Sequence, residues 1–412
     1  MSNTLKVIDM VLKESQRIAH EKLSFIKTTD LQYDKSFTYQ ANKGPNGQTL
    51  RVREPNQFTR TKGTRVIDVQ DTTETTQDIT CATQDHVAMR FNSAELIQSV
   101  NSGAAFDDLS KNYIEPAISS FVSGIEADYI EYCTKRVYNV VGTAGTPPTD
   151  LVAVGAARAR LNQCLAPKDG KRFIQADSVT VAGMVNGLKG LFQDSAAVKE
   201  QYREGMMGRT AGFDWYENDR MWTMTNGADV TGTLAAAAAV TNGGTNITLA
   251  SMSAAPATGA VFTVPGVYAC HPETKQSMGY LQQFVVITGS TTTQEVRPAT
   301  YVSGPKQNLC DANGAAIAVT LFNDTALVPT FVGSASTGYL QNLAYHKEAF
   351  QFVTADLPLM DDAHKCARST KDGLSMRVWQ ASDIRNDELI LRVDMLYGFA
   401  ALRAAWATRI TN

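Results

Sequence analysis

Helical periodicity marks three segments of the chain. Residues 4–26 carry apolar side chains near i, i+3 and i+4 spacing with charged residues interleaved, which predicts an amphipathic helix that docks a partner or packs on its own domain. A second apolar stripe surrounds Pro116, which fits the first turn of a helix and fits its interior badly, so this long helix should start near Glu115. Asp150 can cap a third helix, predicted to run to about Cys164.

Alternation of apolar and polar residues predicts strands on both sides of these helices. The segment 86–91 is typical of a strand that enters a folded body, because Val87, Met89 and Phe91 share one face. Further strands are predicted at 178–182, 350–353, 374–379 and 389–397. The segment 399–407 is predicted to close the chain with a short helix.

A window at roughly 225–343 has a chemistry unlike that of its flanks. Charged residues are sparse there, and Thr, Ala, Gly and Val are abundant. Few charges and many β-formers suit short packed strands, so the composition predicts a β-rich domain inserted into a host domain. Its strands are predicted at 261–264, 266–268, 284–287 and 317–321, with turn-forming residues between most of them. This pattern suits a barrel or a sandwich.

The segment 33–83 is polar and has too few apolar residues to build a core of its own. Turn chemistry at 44–47 precedes an alternating strand at 48–53, and 65–69 is a second candidate strand. A two-stranded excursion is marginal in isolation and needs a neighbour on which to lie. The competing interpretation is a disordered loop.

Composition narrows the classes of function. The net charge is −3, which gives no electrostatic case for tight nucleic-acid or membrane binding. Six cysteines occur without any Cys-x-x-Cys pair, and residues 1–20 are polar rather than signal-like. We therefore expect a cytoplasmic protein with free, mostly buried thiols and without a membrane span.

The motifs that carry catalysis do not occur in the sequence. There is no phosphate-binding loop, zinc-binding His-Glu-x-x-His helix or Gly-x-Ser-x-Gly elbow. His364 and Cys366 could share a face, but no third group orients them. Asp356, Asp361 and Asp362 match no oxygen-ligand spacing. We expect a protein that is not an enzyme, with no catalytic, metal-binding or cofactor-binding residue and no cofactor.

Residues 202–222 combine three glycines with five large aromatic side chains. One interpretation is a ligand-stacking pocket centred on Trp215 and Trp222, as in an adhesin-like β-rich binding module displayed on a particle. The other is a loop whose aromatic side chains seal the edge of a core, which physical considerations favour.

The same region resembles a known family. Residues 202–214, with Gly205, Gly208 and Gly212, resemble a stretch of the major capsid proteins of tailed bacteriophages, in particular the coat proteins of short-tailed phages that carry an inserted domain. Other stretches agree in order and spacing, and the similarity covers nearly the whole chain. They are 113–117, 266–268, 274–275, 279–286, 344–350, 356–358 and 394–398.

The resemblance implies an α+β tailed-phage capsid fold with an inserted β-barrel. It assigns 1–32 to an N-terminal arm, 33–83 to an extended two-stranded loop, 84–149 to a peripheral domain with a long spine helix, 150–224 to an axial domain and 225–343 to the inserted barrel, with 344–412 completing the peripheral and axial domains. The polar excursion would then lie across a neighbouring subunit.

The function implied by the resemblance is a major capsid protein. Copies would assemble into pentamers and hexamers of an icosahedral head in the host cytoplasm and remain part of the virion. The implied partners are other copies of the chain, a scaffolding protein, a portal protein and weakly held double-stranded DNA. The amphipathic helix at 4–26, or the inner surface near it, is predicted to help contact the scaffolding protein.

Overall fold

The computed structural model describes residues 7–31, 49–61, 63, 65, 69–70, 74–92, 113–188, 208–235, 240–360, 365–371 and 373–412. The chain divides into two compact units. Unit one contains Met1–Val52, Thr76–Tyr129 and Phe350–Ala400, and unit two contains Arg53–Thr75, Ile130–Ala349 and Ala401–Asn412.

The described residues form α-helices, short 3-10 helices and strands. The α-helices are α1 Val7–Lys22, α2 Phe25–Thr28, α3 Glu115–Arg136, α4 Leu151–Gln163 and α5 Ser178–Leu188. The strands are β1 Thr49–Arg53, β2 Thr76–Thr80, β3 Thr83–Asn92, β4 Val140–Val141, β5 Arg172–Ala176, β6 Arg209–Thr210, β7 Phe213–Glu217, β8 Thr223–Thr225, β9 Thr233–Leu234, β10 Gly244–Ala250, β11 Val261–Cys270, β12 Ser277–Thr288, β13 Thr293–Thr300, β14 Leu309–Cys310, β15 Thr330–Phe331, β16 Gly338–His346, β17 Gln351–Ala355, β18 Lys365–Lys371, β19 Leu374–Asp383, β20 Glu388–Ala400 and β21 Ala407–Thr411. The 3-10 helices are Val319–Asn323, Lys347–Ala349 and Ala404–Trp406.

Unit one is built on a five-stranded antiparallel sheet. The order is β17-β20-β19-β18, and β3 pairs with the edge of β20 opposite the one that β17 and β19 share. Alternation predicted these strands because one face of the sheet is buried, as the fully buried Val378 and Val393 show. The predictions at 86–91, 350–353, 374–379 and 389–397 are confirmed.

Helix α1 covers part of this sheet. Its side chains Val11, Leu12, Ile18 and Ala19 are buried, and the helix contacts β18 and β19. The apolar stripe of the described helix therefore packs on its own unit, as the second of the two interpretations predicted, and is not free to dock a partner. The helix predicted over 4–26 is confirmed from residue 7, but it ends at Lys22, and α2 begins at Phe25.

The part of α3 in unit one joins the short helix α2 to the sheet. Phe25 lies 4.9 Å from Tyr129, which stacks on Phe399 of β20 at 5.0 Å. Glu126 is fully buried and accepts hydrogen bonds from the backbone N–H groups of Ser24 and Phe25 at 2.9 and 2.5 Å. A carboxylate there satisfies donors that start α2, so the long predicted helix also fixes the arm before it.

The central sheet of unit two mixes parallel and antiparallel pairs. The order is β4-β21-β16-β5-β7-β6, and β8 also pairs with β16. Helices α4 and α5 pack on it through a core that includes Leu161, Met184, Ile174 and Phe213. As predicted, α4 begins after Asp150, whose carboxylate accepts from Val152 N at 3.0 Å. Such a cap stabilises a helix by about 1 kcal/mol.

Two secondary-structure predictions in unit two are wrong. The segment 178–182 belongs to α5, which Asp177 starts by accepting from Val179 N at 3.0 Å. The closing segment is mainly β-structure: β20 extends through Ala400, a 3-10 turn follows, and β21 then inserts between β4 and β16. A strand forms at 407–411 instead of a helix because its backbone makes hydrogen bonds to β4 on one edge and to β16 on the other.

The middle of the chain forms a second seven-stranded antiparallel sheet. Its order is β14-β11-β12-β13-β10-β9, and β15 pairs with β11. It has a core of its own that includes Phe262, Phe284, Val296 and Phe322. Within the described residues no pairing joins β9 to β14 or β15, and the strands described form a half-barrel. The strand predicted at 317–321 is wrong in part, because Val319–Asn323 is a 3-10 helix that packs Phe322 on this core.

A separate two-stranded sheet pairs β1 with β2. It confirms the strand predicted at 48–53 from Thr49 onward, whereas its partner β2, at Thr76–Thr80, was not predicted. The turn predicted at 44–47 and residues 66–68 of the strand predicted at 65–69 lie outside the described residues.

Candidate interaction site

The β1–β2 hairpin is exposed along most of its length, with Ile79 as the one buried residue of its two strands. Cross-strand ion pairs join Arg51 to Asp78 at 3.5 Å and Arg53 to Glu74 at 3.4 Å, with all four side chains more than half exposed. Exposed pairs of this kind contribute only about 0–1 kcal/mol each. The hairpin is therefore held weakly by its own side chains.

Apolar side chains of the hairpin segment face solvent rather than a core. Phe58 is 56% exposed and Val69 is 83% exposed. Among described residues between 49 and 80, only Ile79 is buried, and β2 contacts β20 of unit one. A two-stranded ribbon with exposed large apolar side chains needs another surface to cover it.

The ribbon also contacts the middle segment of the chain inside unit two. Lys306 Nζ donates to Thr75 Oγ1 at 2.8 Å, and Thr75 Oγ1 donates to Glu54 at 2.7 Å. Glu54 N in turn donates to Thr75 O at 2.9 Å. These polar bonds orient the ribbon while leaving Phe58 and Val69 uncovered.

The half-barrel is clamped to the central sheet of unit two by one glutamine. Gln283 Oε1 accepts from Val140 N at 2.8 Å, and Gln283 Nε2 donates to Val140 O at 2.9 Å. The side chain thus acts as a short piece of strand that extends β4. Beneath it, Val140 packs with Val261 and Val285 in a small apolar cluster.

A second attachment joins β12 to helix α4. The guanidinium of Arg160 stacks on the ring of Tyr280, 3.1 Å from its centroid. Burial is the main cause that raises the pKa of the Tyr280 hydroxyl to about 12. The phenol is therefore neutral at physiological pH, and the contact is a cation–π interaction.

Asp229 organises the beginning of the middle segment. Its carboxylate accepts from Thr231 N and Oγ1 at 2.8 and 2.6 Å and from Ser253 N and Oγ at 2.6 and 2.9 Å. These hydrogen bonds, first the one from the Thr231 hydroxyl, hold the pKa of the carboxyl well below its usual range. The charged group ties two loops together.

A buried ion network crosses the sheet of unit one. Arg377 Nη2 donates to Asp394 Oδ2 at 2.6 Å, and Arg392 Nε donates to Asp394 Oδ1 at 2.5 Å. Asp394 is fully buried, and Arg377 also donates to Pro358 O at 2.7 Å. The network makes the register of β19 and β20 specific, because a slip would strand a buried charge.

The histidines hold turns. His346 is fully buried and lies 3.0 Å from Asp169 Oδ1. His271 Nδ1 accepts hydrogen bonds from the backbone N–H groups of Glu273 and Thr274 at 3.2 Å. That nitrogen is therefore not available as a base for the thiol of its sequence neighbour Cys270. His364 of the His364–Cys366 pair lies outside the described residues.

Potential metal ligands and thiols have structural surroundings. Asp356 accepts from Ser375 Oγ at 2.5 Å, whereas Asp361 and Asp362 lie outside the described residues. Within the described ranges there is no group of three or more His, Cys, Asp or Glu that could hold a metal ion. All six cysteines are free, and four are buried, as expected.

The two tryptophans proposed as a pocket are not brought together. Trp215 lies on β7 and packs against the core under α4 and α5. Trp222 packs against the half-barrel core, with the Lys135 Nζ 5.3 Å from its ring centroid. The stretch 208–222 forms the β6–β7 hairpin and its continuation, so the aromatic side chains seal two separate cores and do not support the binding-module alternative.

Sequence reasoning missed the residues that attach the half-barrel. Gln283, Asp229 and Arg160 carry no motif, and their roles depend on which groups of other segments lie opposite each side chain. Asp229 alone left a signal, because an acidic residue two positions before Thr231 is typical of a side-chain-capped turn.

An exposed ribbon with uncovered apolar side chains is typical of structural proteins that associate through extended surfaces. The family model described as "P22 coat protein - gene protein 5" matches residues 70–407. The chain therefore belongs to the P22 coat protein family and is a major capsid protein of a tailed bacteriophage, a component of the virion. No curated protein matched the chain.

Solved structures resemble the chain over most of its length. A structure from Mycobacterium phage Che8 has a TM-score of 0.48 at 10% identity, and the alignment covers 94% of this chain and 90% of the phage Che8 chain. The mature capsid of bacteriophage PhiM1 has a TM-score of 0.43 at 11% identity, covering 94% and 88%. The capsid of Ralstonia phage GP4 has a TM-score of 0.44 at 7% identity, covering 92% and 90%. No helix in the described ranges is long and apolar enough to cross a membrane.

Proposed function

We propose that this coat protein assembles into the pentamers and hexamers of an icosahedral head that encloses double-stranded DNA, in a structural and non-enzymatic role. The observation that carries the proposal is the coreless β1–β2 ribbon, with Phe58 and Val69 exposed. In the shell, the ribbon of each copy lies on a neighbouring copy, which buries these side chains.

The stability of the shell comes from repetition. Full burial of a phenylalanine side chain contributes about 1.5–3 kcal/mol, which is weak for one contact between two free proteins. In a closed symmetric assembly each copy both makes and receives the same contact. The free energies of many such contacts therefore add up around the shell. The ribbon therefore need not be stable on its own.

A Phe58→Ser variant tests this role. Because Phe58 is exposed in the subunit, the substitution should leave the unfolding midpoint of the free subunit unchanged while preventing or weakening shell formation in negative-stain images. Val328→Ser removes a comparably exposed apolar side chain from the middle segment and serves as the matched control. Shells of Phe58→Ser at the wild-type protein concentration would contradict the proposal.

Limited proteolysis gives a second readout. Arg53 and Arg60 are exposed in the subunit, so trypsin should cut there in free subunits. If copies cover the ribbon, the same bonds become resistant in assembled shells. Equal cleavage in both states would place the ribbon outside the subunit contacts.

We further propose that the segment 225–343 is a domain that folds on its own and closes into a barrel. Its separate core and its seven-stranded sheet support autonomy. The flanking assignments follow: 1–32 as the arm, 33–83 as the ribbon, and 84–149 and 150–224 as peripheral and axial domains, both completed by 344–412. An isolated 225–343 fragment should give dispersed amide resonances and a cooperative melt, and an unfolded fragment would remove the autonomous-domain assignment.

Scaffolding and portal proteins are proposed partners during assembly in the host cytoplasm. The apolar face of α1 is buried, so a scaffold contact near this helix uses its exposed face, where Lys13 and Arg17 lie. Charge reversal at both positions should reduce co-sedimentation of scaffolding protein with the coat protein. Retention of full scaffold binding after deletion of residues 1–20 would exclude this contact.

Packaged DNA is proposed to touch the shell weakly. A net charge of −3 gives each subunit little overall attraction for phosphate, so the genome is confined by the shell rather than bound to it. Binding of purified shells to duplex DNA should be slight at physiological salt and without sequence preference.

A further inference from the structure

A small cavity lies inside unit two, where the half-barrel meets the central sheet. Its walls include Gly259 and Val261 of the middle segment, Val140 of β4, and Gln341, Thr411 and Arg409 of the central sheet. The cavity volume is about 10 Å³. That volume is about what one water-sized particle requires.

Arg409 lines this cavity and is itself buried. The residue is 1% exposed, and its Nη1 donates to Gly259 O at 2.7 Å. The Nε and Nη2 atoms are buried and have no hydrogen-bond partner in the described part of the protein. These two atoms form one edge of the guanidinium, with N–H bonds that run side by side, which is the geometry by which arginine grips an anion at two points.

The charge of Arg409 is not balanced by the protein around it. Burial lowers the pKa of its guanidinium to about 9, which still leaves the group protonated at neutral pH. None of the lining residues is acidic, and the ion pairs of the described residues do not include Arg409. A buried cation normally requires a compensating negative charge, because its desolvation costs several kcal/mol.

We propose that this cavity binds a single monatomic anion of the chloride class, held by the Nε–Nη2 edge of Arg409. A carboxylate or phosphate is too large for the space, whereas a chloride ion is only somewhat larger than a water molecule, so small shifts of the walls admit it, and it accepts hydrogen bonds from both N–H groups. The other polar walls are neutral, namely the amides of Gln341 and Asn226 and the hydroxyls of Thr411 and Tyr339. The Gln341 amide donates to Thr411 Oγ1 at 2.9 Å.

The anion would stabilise the attachment of the half-barrel to the central sheet within unit two. Arg409 lies on β21 and reaches Gly259 immediately before β11, so one side chain bridges the central sheet and the half-barrel. Neutralising its charge stabilises this bridge in the folded state only, so anion binding is linked to folding.

The experiment is unfolding of the full-length chain in sodium chloride against sodium gluconate at constant ionic strength. The gluconate ion is too large for the cavity, so the unfolding midpoint should rise with chloride concentration. Arg409→Met should remove the chloride dependence. Arg209→Met, which removes an exposed arginine from the same unit, should keep it.

Bromide provides a readout that does not depend on how the variant folds. Crystals of the wild-type chain soaked in sodium bromide should show an anomalous peak next to Nε and Nη2 of Arg409. Equal midpoints in chloride and gluconate, or a bromide-soaked map without that peak, would overturn the proposal and leave an ordered water as the occupant.

Discussion

The backbone of Gly398 packs directly against the carbonyl group of Thr80. A Cβ atom added at Gly398 would collide with Thr80 O and lie 2.9 Å from Cα of Cys81. Thr80 ends the second strand of the ribbon, and Gly398 lies on β20 of the unit-one sheet. The ribbon is therefore anchored at its base by a contact that only glycine permits.

Gly398→Ala should detach this base. Because the clash is with backbone, the variant should lose roughly 1–3 kcal/mol of unfolding free energy. It should also show faster amide exchange at 76–80. Gly124→Ala is the matched control, since nothing lies within 4 Å of a Cβ there and alanine favours the helix. Unchanged exchange in Gly398→Ala would show that the contact does not anchor the ribbon.

The glutamine clamp predicts a graded series at position 283. Gln283→Leu leaves the N–H and C=O of Val140 without partners and should cost about 1–3 kcal/mol in denaturant unfolding. Gln283→Glu keeps the acceptor for Val140 N and loses the donor to Val140 O, so its midpoint should fall between those of wild type and Gln283→Leu. The exposed Gln276→Leu should stay within about 0.5 kcal/mol of wild type. Three equal midpoints at position 283 would exclude a clamp.

Asp229 predicts a pH dependence with a defined sign. Its folded-state pKa is depressed, so its contribution to stability is present above the unfolded pKa near 3.9 and is lost as pH falls through the folded value. Asp229→Asn should lower the melting temperature at pH 7, and its deficit relative to wild type should shrink below about pH 4. Glu273→Gln, at an exposed position of the same segment, is the control. A deficit that is constant from pH 7 to pH 3 would refute the assignment.

The buried network in unit one predicts strong non-additivity. Asp394→Leu leaves the buried Arg377 guanidinium without its carboxylate and should cost about 3–5 kcal/mol. Adding Arg377→Met should restore part of that loss, because no buried charge remains uncompensated there. Arg392 is partly exposed and can turn toward water. A double-mutant cycle of unfolding free energies measures the coupling, and simple addition of the single effects would count against the network.

Local signals foretold much of the secondary structure. The cap at Asp150 and the first-turn proline of α3 are confirmed because both depend only on neighbouring residues. The wrong strand prediction at 178–182 could have been avoided from the sequence, because Asp177 is a typical helix-capping residue and caps α5. The error at 399–407 did not, because β21 is a strand only where β4 and β16 supply partners.

The interaction site was foreseen in outline and not in detail. Polarity and the lack of apolar residues indicated the ribbon, since a deficit of core-forming side chains is visible in composition. Gln283 and Arg409 were invisible, because each acts through a backbone group far away in sequence. Their roles arise from three-dimensional register, which composition does not encode.

The coreless ribbon makes concentration a structural variable for this protein. A subunit whose ribbon is anchored at its base but leaves Phe58 and Val69 uncovered is unfinished when dilute, and it becomes complete only when crowded by its siblings. Its order should therefore switch on sharply over a narrow span of concentration, as crystallisation does, instead of accruing copy by copy. The geometry of the subunit thereby sets a threshold concentration for assembly: below it the chains remain free subunits, and above it they form closed shells.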